Sequence, residues 1–382
     1  MEITIVDSID PQNFKPGGTR SYVMHVLRSL CAQGIKTSFV GVSYKDMKNT
    51  ISNYNFVPVI KNRDPSSYDF LFILLLKTPF LKLSKTSIIH AQREDHLFPF
   101  VLFNKKNPKV CTLHGVSGKK IALKKGKLVG FIYEALESFT LKRTDKIIAV
   151  DKSTKEYYLK KHPWLENKID VIPVGIDLDL FKPMNKEKMK ERYGFKSTDK
   201  IIIYIGRLEK EKNLEFLLKT FKLISSQEKE YKLLLVGDGK ELKKLEKKAS
   251  DMGLNNVVIF RGAVNQQKIP EILNCADILA LCSLFESGPL VVQEAIACGI
   301  PVVTTNVGRV KEFIRDEKIG RIVEYDESKF AKAIEITVGE NSDNKQYRRM
   351  VAEEFSFDKT MSSLSKIYNN LDNKHSGGRL KL

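Results

Sequence analysis

Two carboxylates eight positions apart, Glu286 and Glu294, open the segment FESGPLVVQEAIACGIPVV, residues 285–303. Gly288 and Pro289 read as the cap and first residue of a helix of about ten residues, and Gly299 with Ile300-Pro301 as its stop. Between those ends Leu290, Val291, Val292, Ala295, Ile296 and Ala297 make the helix apolar nearly all round, so it belongs inside a domain. A carboxylate on such a helix is costly unless something polar meets it. Two kinds of partner suit Glu294: a neighbouring Lys or Arg, or the hydroxyls of a bound sugar or ribose, held where the helix N-terminus also offers N–H groups to an anion.

Three further places carry chemistry. Arg207 and Lys212 stand at opposite ends of the loop GRLEKEKN and can converge on one anion, Arg as a fork of donors and Lys as a point charge; in so lysine-rich a chain they suit plain surface charge as well. His114, in CTLHGVSG, falls directly after a β-like run, where a cleft or an ordinary loop is equally at home. Gly17 and Gly18, in FKPGGTRSYVMHVLRSLCAQG, let the backbone approach a phosphate, or simply turn a strand into a helix.

Glu286-x7-Glu294 within GPLVVQEAIACGIPVVTTNVG resembles the signature of the retaining glycosyltransferases of family four, which have the GT-B fold. The resemblance implies an α/β protein of two Rossmann-like domains facing each other across a cleft, with a C-terminal helix crossing back to the first. It implies that Glu286 contacts the donor sugar and Glu294 the ribose, and that His114, in a run similar to the family's T-x-H motif, points at the same sugar. Arg207 and Lys212 match the diphosphate-binding pair, Gly17 and Gly18 the GG loop, and Gly262 the place of the nucleotide base. Ser287, Gly288, Pro289 and Leu290 complete the implied donor-binding set. Retention without an enzymic nucleophile, by same-face attack assisted by the leaving phosphate, is also what the resemblance implies. No D-x-D or His/Cys cluster calls for a metal, and no cofactor is expected besides the nucleotide-sugar substrate. Two positions depart from the family pattern: Val174 replaces Asn in IPVGID, and Val307 replaces Gly in TTNVGRV.

The elements that must position these residues alternate as in a doubly wound sheet. Strands are expected at Ile3–Val6, Thr37–Val42, Phe70–Leu75, Ser87–Ala91, Lys109–Leu113 and Lys146–Val150, with a helix ending at Gly34 after the first. A second series is expected at 201–204, 233–239, 257–262 and 278–282 and in a last strand after Pro301, with helices at 214–223 and 269–275. The implied domains are 1–175 for the acceptor and 176–352 for the nucleotide sugar, then a returning helix at 353–372 and a disordered tail at 373–382.

At 382 residues, 42% hydrophobic and 29% charged, the chain is long enough for two substantial cores. Five cysteines without a C-x-x-C pair read as reduced core residues of a cytoplasmic protein. No run approaches a membrane span, and MEITIVDSID lacks a basic n-region, so neither anchor nor signal peptide is expected. Through Gly175 there are 28 Lys+Arg and 15 Asp+Glu, so +13 of the net +18 lies in the first half. Lys105, Lys106, Lys109, Lys119, Lys120, Lys124, Lys125 and Lys127 follow one another with no acid between them, ahead of an apolar stretch with Phe131, Ile132, Leu136 and Phe139. That block is either a solvated face or a patch for an anionic membrane surface or acceptor; family members use the equivalent region to reach lipid-linked acceptors, so a glycan or lipid-linked acceptor is expected. A nicotinamide oxidoreductase is disfavoured because G-x-G-x-x-G is missing after the first strand, and a nucleic-acid binder because no recognised module accompanies the lysines. A non-catalytic nucleotide-sugar binder of the same fold is the alternative function.

Overall fold

The computed structural model describes residues 1–11, 18–44, 53–61, 65–116, 126–228, 230–286, 288–340 and 344–376. The chain forms two compact units, one of Met1–Gly175 with the chain from Phe357 onward, the other of Ile176–Ser356. Gly17, Ser287, Lys119, Lys120, Lys124 and Lys125 lie outside the described residues, as does the side chain of Lys127.

In the first unit seven parallel strands lie in the order β3-β2-β1-β4-β5-β6-β7: β1 Glu2–Val6, β2 Lys36–Ser43, β3 Asn55–Lys61, β4 Ile88–Ala91, β5 Lys109–Leu113, β6 Lys146–Ala149 and β7 Ile169–Val171. Both faces are covered, which is why the central strands read as unbroken apolar runs rather than alternating ones. Helices Gly18–Ala32 and Phe357–Ser376 pack on one face around Ile5, Leu27 and Leu364. Helices Ser67–Lys77, Glu94–Phe103, Lys127–Lys142 and Lys152–Lys161 supply the other face, around Phe70, Phe100, Leu141 and Tyr158. His90 of β4 has a ring nitrogen 2.6 Å from the Tyr368 hydroxyl and the other 2.7 Å from Thr112 Oγ1. Burial holds that imidazole down at about 3, so it is a neutral tie between the sheet and the last helix.

The strand expected at Phe70–Leu75 is a helix, Ser67–Lys77. Its start is fixed by a reciprocal cap in which Ser66 Oγ accepts from the Asp69 N–H and Asp69 accepts from the Ser66 N–H. That local signal outweighs the β-like run, which cannot by itself separate a strand from a buried helix. Two strands of this sheet were not anticipated, β3 and β7; β3 carries Pro58, which is tolerated because β3 is the sheet edge.

In the second unit six parallel strands run β10-β9-β8-β11-β12-β13: β8 Lys200–Ile205, β9 Tyr231–Val236, β10 Val258–Gly262, β11 Ile278–Leu281, β12 Val302–Thr305 and β13 Gly320–Val323. Chain order reverses between β1 and β4 in the first sheet and between β8 and β11 in the second, the place where open α/β sheets gather ligands at strand carboxyl ends. Val174 packs against the core of the first unit, and Val307 is buried in that of the second, so both departures from the family pattern serve packing. Residues Lys345–Glu353 form their own helix and the last helix runs Phe357–Ser376, later at both ends than the expected 353–372; residues 373–376, expected as tail, are helical. All five cysteines are free, four of them buried.

Candidate active site

In the second unit the loops that follow β8 and β11 meet. Lys212 closes a single 3₁₀ turn, Lys210–Lys212, and Asn213, left-handed at φ 54°, turns the chain into helix Leu214–Gln227. Asn tolerates that conformation better than a branched or bulky residue. From this corner Lys212 Nζ reaches Glu286 Oε1 at 2.5 Å, and Ser283 Oγ donates to the same oxygen at 2.8 Å. Both Lys212 and Glu286 are mostly buried, so the pair is screened far less than a surface one. The two loops are also joined through the backbone, the Leu284 N–H donating to the Glu211 carbonyl at 2.8 Å. Ser283 is held in turn, its carbonyl accepting from the Tyr325 hydroxyl and, at 3.2 Å, from Thr305 Oγ1 at the end of β12.

Arg207 lies in the same loop. Its side chain is 65% exposed and, among the described residues, reaches only Glu211, 3.4 Å away. The backbone there has no room to spare: the Gly206 N–H donates to the Val236 carbonyl, and Leu208 to that of Asp238. A Cβ on Gly237, at φ +143°, would lie 1.8 Å from the Gly206 carbonyl oxygen, so only glycine allows the loops after β8 and β9 to touch. Gly237 donates to the carbonyl of Gly262, itself left-handed at φ +73°, which brings the end of β10 to the same edge.

The helix that carries Glu294 runs Leu290–Ala297, eight residues rather than ten. Pro289, expected as its first residue, is the cap at ψ 102°, and Gly299 takes the left-handed position after the end at φ +76°. Gly288 faces Arg309, whose Cδ would be 3.7 Å from an added Cβ, and Arg309 pairs with Glu312 at 2.6 Å. Among the described residues no side chain pairs with the half-buried carboxylate of Glu294, and its burial pushes the pKa up to about 7. Of the two partners considered for Glu294, the neighbouring cation is therefore not the one the fold supplies. At the far end of this helix the buried Arg348 donates from Nε to the Lys318 carbonyl and from Nη1 to that of Gly299, fixing the helix C-terminus.

His114 belongs to the first unit, directly after β5. Its Nε2 donates to Gln92 Oε1 at 3.0 Å, and its ring meets that of Tyr22 edge-on at 5.2 Å. Desolvation lowers its pKa to about 4, against a smaller opposing pull from Asp7, so the ring is neutral at pH 7. Around it, at the carboxyl ends of β1 and β4, lies a polar set that the sequence reading missed. Asp7 Oδ1 is 3.4 Å from His96 Nδ1, while among the described residues Asp7 Oδ2, Gln92 Nε2 and both ring nitrogens of His96 are buried without a hydrogen-bond partner. Groups left unpaired in this way cost stability and collect where ligands bind. The signal was available: Asp7 and Gln92 each follow immediately on the last residue of a strand. Ser283 and Arg309 carried no such mark, because their place depends on loops that meet only in three dimensions.

In the second unit Arg207 and Lys212 offer donors suited to an anion, and Glu286 and, on the helix that follows, Glu294 offer acceptors suited to hydroxyls. Gly18 begins the first helix of the other unit. Among the described residues no group of three or more His, Cys, Asp or Glu is arranged to hold a metal ion, and no helix is long and apolar enough to cross a membrane.

Comparison with known proteins covers both units. The family model for glycosyl transferases group 1 matches residues 185–354, and that for glycosyltransferase family 4 matches residues 16–180. The chain is 32% identical over 219 residues to the UDP-Gal:alpha-D-GlcNAc-diphosphoundecaprenol alpha-1,3-galactosyltransferase of Escherichia coli, a match spanning 56% of each protein. It superimposes on sucrose-phosphate synthase from Thermosynechococcus elongatus with a TM-score of 0.81 at 19% identity, over 97% of this chain and 98% of that one. For Anabaena HepE in complex with UDP and glucose the TM-score is 0.75 at 16% identity, over 97% and 99%. The fold shared with these structures is GT-B.

Proposed function

The chain belongs to the group 1, family 4 glycosyltransferases, and from that premise we propose that it transfers a hexosyl group from a nucleoside-diphosphate sugar to a glycan or lipid-linked acceptor with retention and without a metal. The observation that carries this reading is the contact of Lys212, Glu286 and Ser283 on the same sheet edge as Arg207.

The donor diphosphate draws Lys212 away from Glu286 and adds Arg207, two cations where negative charge grows as the sugar–phosphate bond breaks. Glu286, still held by Ser283, is then free to accept from a sugar hydroxyl, so one event charges the anion site and uncovers the sugar site. The amides at the start of Leu290–Ala297 meet the diphosphate from the helix N-terminus. Glu294 accepts from the ribose hydroxyls, and His114, neutral and oriented by Gln92, fixes the sugar. The bond from C1 to the phosphate oxygen breaks, the acceptor oxygen bonds to C1 on the same face, and the acceptor proton passes to the departing phosphate. Nothing is asked of a metal ion because Arg207 and Lys212 carry the compensating charge. UDP-sugars are the first donors to try, since the E. coli relative is named for UDP-Gal and HepE was solved with UDP. A lipid-linked acceptor would be met at an anionic cytoplasmic membrane face, to which Lys105 and Lys106, both exposed, are suited.

The test is nucleoside diphosphate release from UDP-, GDP-, ADP- and TDP-sugars with candidate acceptors. Turnover that persists in EDTA, falls about a hundredfold or more in Lys212→Ala, and gives a product with the donor's anomeric configuration by NMR supports the proposal. Donor binding without turnover over the whole panel would instead favour a non-catalytic nucleotide-sugar binder.

A further inference from the structure

Helix Ser67–Lys77 contains seven consecutive apolar residues, Phe70 to Leu76, yet only one side of it is buried. Phe70 and Leu74 enter the core, while Phe72 is 63% exposed and Leu76, one turn further on the opposite side, is also more than half exposed. Phe80, in the 3₁₀ turn that follows, is 83% exposed. A helix apolar all round is normally covered all round, and aromatic and aliphatic residues aligned at this spacing form a stripe rather than scattered single exposures. Two helices along the same face of the sheet, Lys127–Lys142 repeats the pattern with Leu128, Phe131 and Ile132, and Glu94–Phe103 lies between them, packed against both.

We propose that Phe72, Leu76 and Phe80 enter the acyl boundary of an anionic bilayer and hold this face of the first unit on the membrane. Charge selects this occupant over a second copy of the chain. Beside the stripe Lys77, Lys82 and Lys85 are exposed, as are Lys105 and Lys106, against one exposed acid on the helix, Asp69, which is tied to Ser66 in the cap. Two such faces brought together repel, whereas anionic headgroups attract the lysines and leave the apolar tips to sink between the acyl chains. The lysines supply a salt-sensitive part of the attachment and the stripe a part that survives salt.

This inference rests on the membrane reading given above, and the experiment separates the two. The full chain is sedimented with phosphatidylcholine vesicles, with and without about one third phosphatidylglycerol, at low and high salt. Wild type is expected to bind the anionic vesicles and to keep part of that binding at high salt. The triple variant Phe72→Ser, Leu76→Ser, Phe80→Ser is expected to lose the salt-resistant part and at least tenfold in partitioning, and Lys105→Ser with Lys106→Ser only part of the salt-sensitive component. Phe80→Ser alone, outside the helix, is expected to lose a measurable fraction with an unchanged melting curve, which guards against misfolding of the triple variant. Equal binding by wild type and triple variant overturns the role of the stripe and leaves the membrane reading standing. If wild type ignores both vesicle types, both fall, and dimers by light scattering that dissociate in the triple variant would identify a second copy as the occupant.

Discussion

Replacing Glu294 by Gln tests whether the second unit keeps a costly carboxyl for the sake of a ligand. Burial raises the Glu294 pKa from 4.5 to about 7. Folding therefore retains a proton that the unfolded chain gives up between those values, and the stability this provides is present below pH 4.5 and lost as pH rises through 7. That rise corresponds to about 3 kcal/mol at pH 8. Gln is nearly the same size and has no charge to desolvate, so Glu294→Gln is expected to be more stable than wild type at pH 8 and about equal to it near pH 4. At about 2–4 °C per kcal/mol for a unit of this size, the melting of the second unit rises by about 6 °C or more at pH 8. Calorimetry is the suitable assay, because the one tryptophan, Trp164, lies in the first unit and does not report on the second. The same variant is expected to bind nucleoside diphosphate more weakly, since an amide offers the ribose one acceptor oxygen in place of two. A variant no more stable than wild type at pH 8, or one whose advantage is equal at pH 4 and pH 8, would refute the argument.

Other outcomes follow from the same structure. If the ribose holds Glu294 ionised, donor affinity improves about tenfold between pH 6 and pH 8, read by titration calorimetry. Gly237→Ala puts a methyl against the Gly206 carbonyl at a backbone conformation only glycine takes readily, and is expected to cost about 3 kcal/mol or more in denaturant unfolding of the second unit. Ser66→Ala breaks the reciprocal cap of helix Ser67–Lys77 at a cost of about 1 kcal/mol, with nucleoside diphosphate release unchanged. Because His114 titrates near 4, the pH–rate profile between 5.5 and 8 is expected to show no limb near 6.5 that disappears in His114→Asn.

The fold was legible where one pattern pointed one way. β-branched runs closed by Gly or a following helix located β1, β2, β5, β6, β8 and β11, and their alternation with helices sufficed for two parallel sheets. The Phe70–Leu76 run failed because seven apolar residues carry no period, and the deciding signal was polar, Ser66 facing Asp69 across one turn. β3 was missed because a proline in a strand is informative only once that strand is known to be the edge. For the site, the resemblance of the surrounding motifs to those of the family singled out Lys212 and Glu286 among 110 charged residues, and the fold puts them in contact although 74 positions separate them. Nothing linear could reveal that Ser283 and Tyr325 brace Glu286, whereas Asp7 and Gln92 were marked by their places at strand ends and only their meeting with His96 beside His114 depends on strand order.

The last helix completes the first sheet. Tyr368 meets His90 of β4, Thr360 Oγ1 donates to the Pro173 carbonyl at 2.8 Å, and Leu364 fills the face shared with Leu27. A ribosome making this chain therefore releases the middle before the beginning can finish. Residues 176–356 emerge with everything their own sheet requires, while residues 1–175 wait with one face covered in part, by helix Gly18–Ala32 alone, until Phe357–Ser376 arrives. Cutting the chain just before Phe357 would thus injure the end of the molecule that was synthesised first.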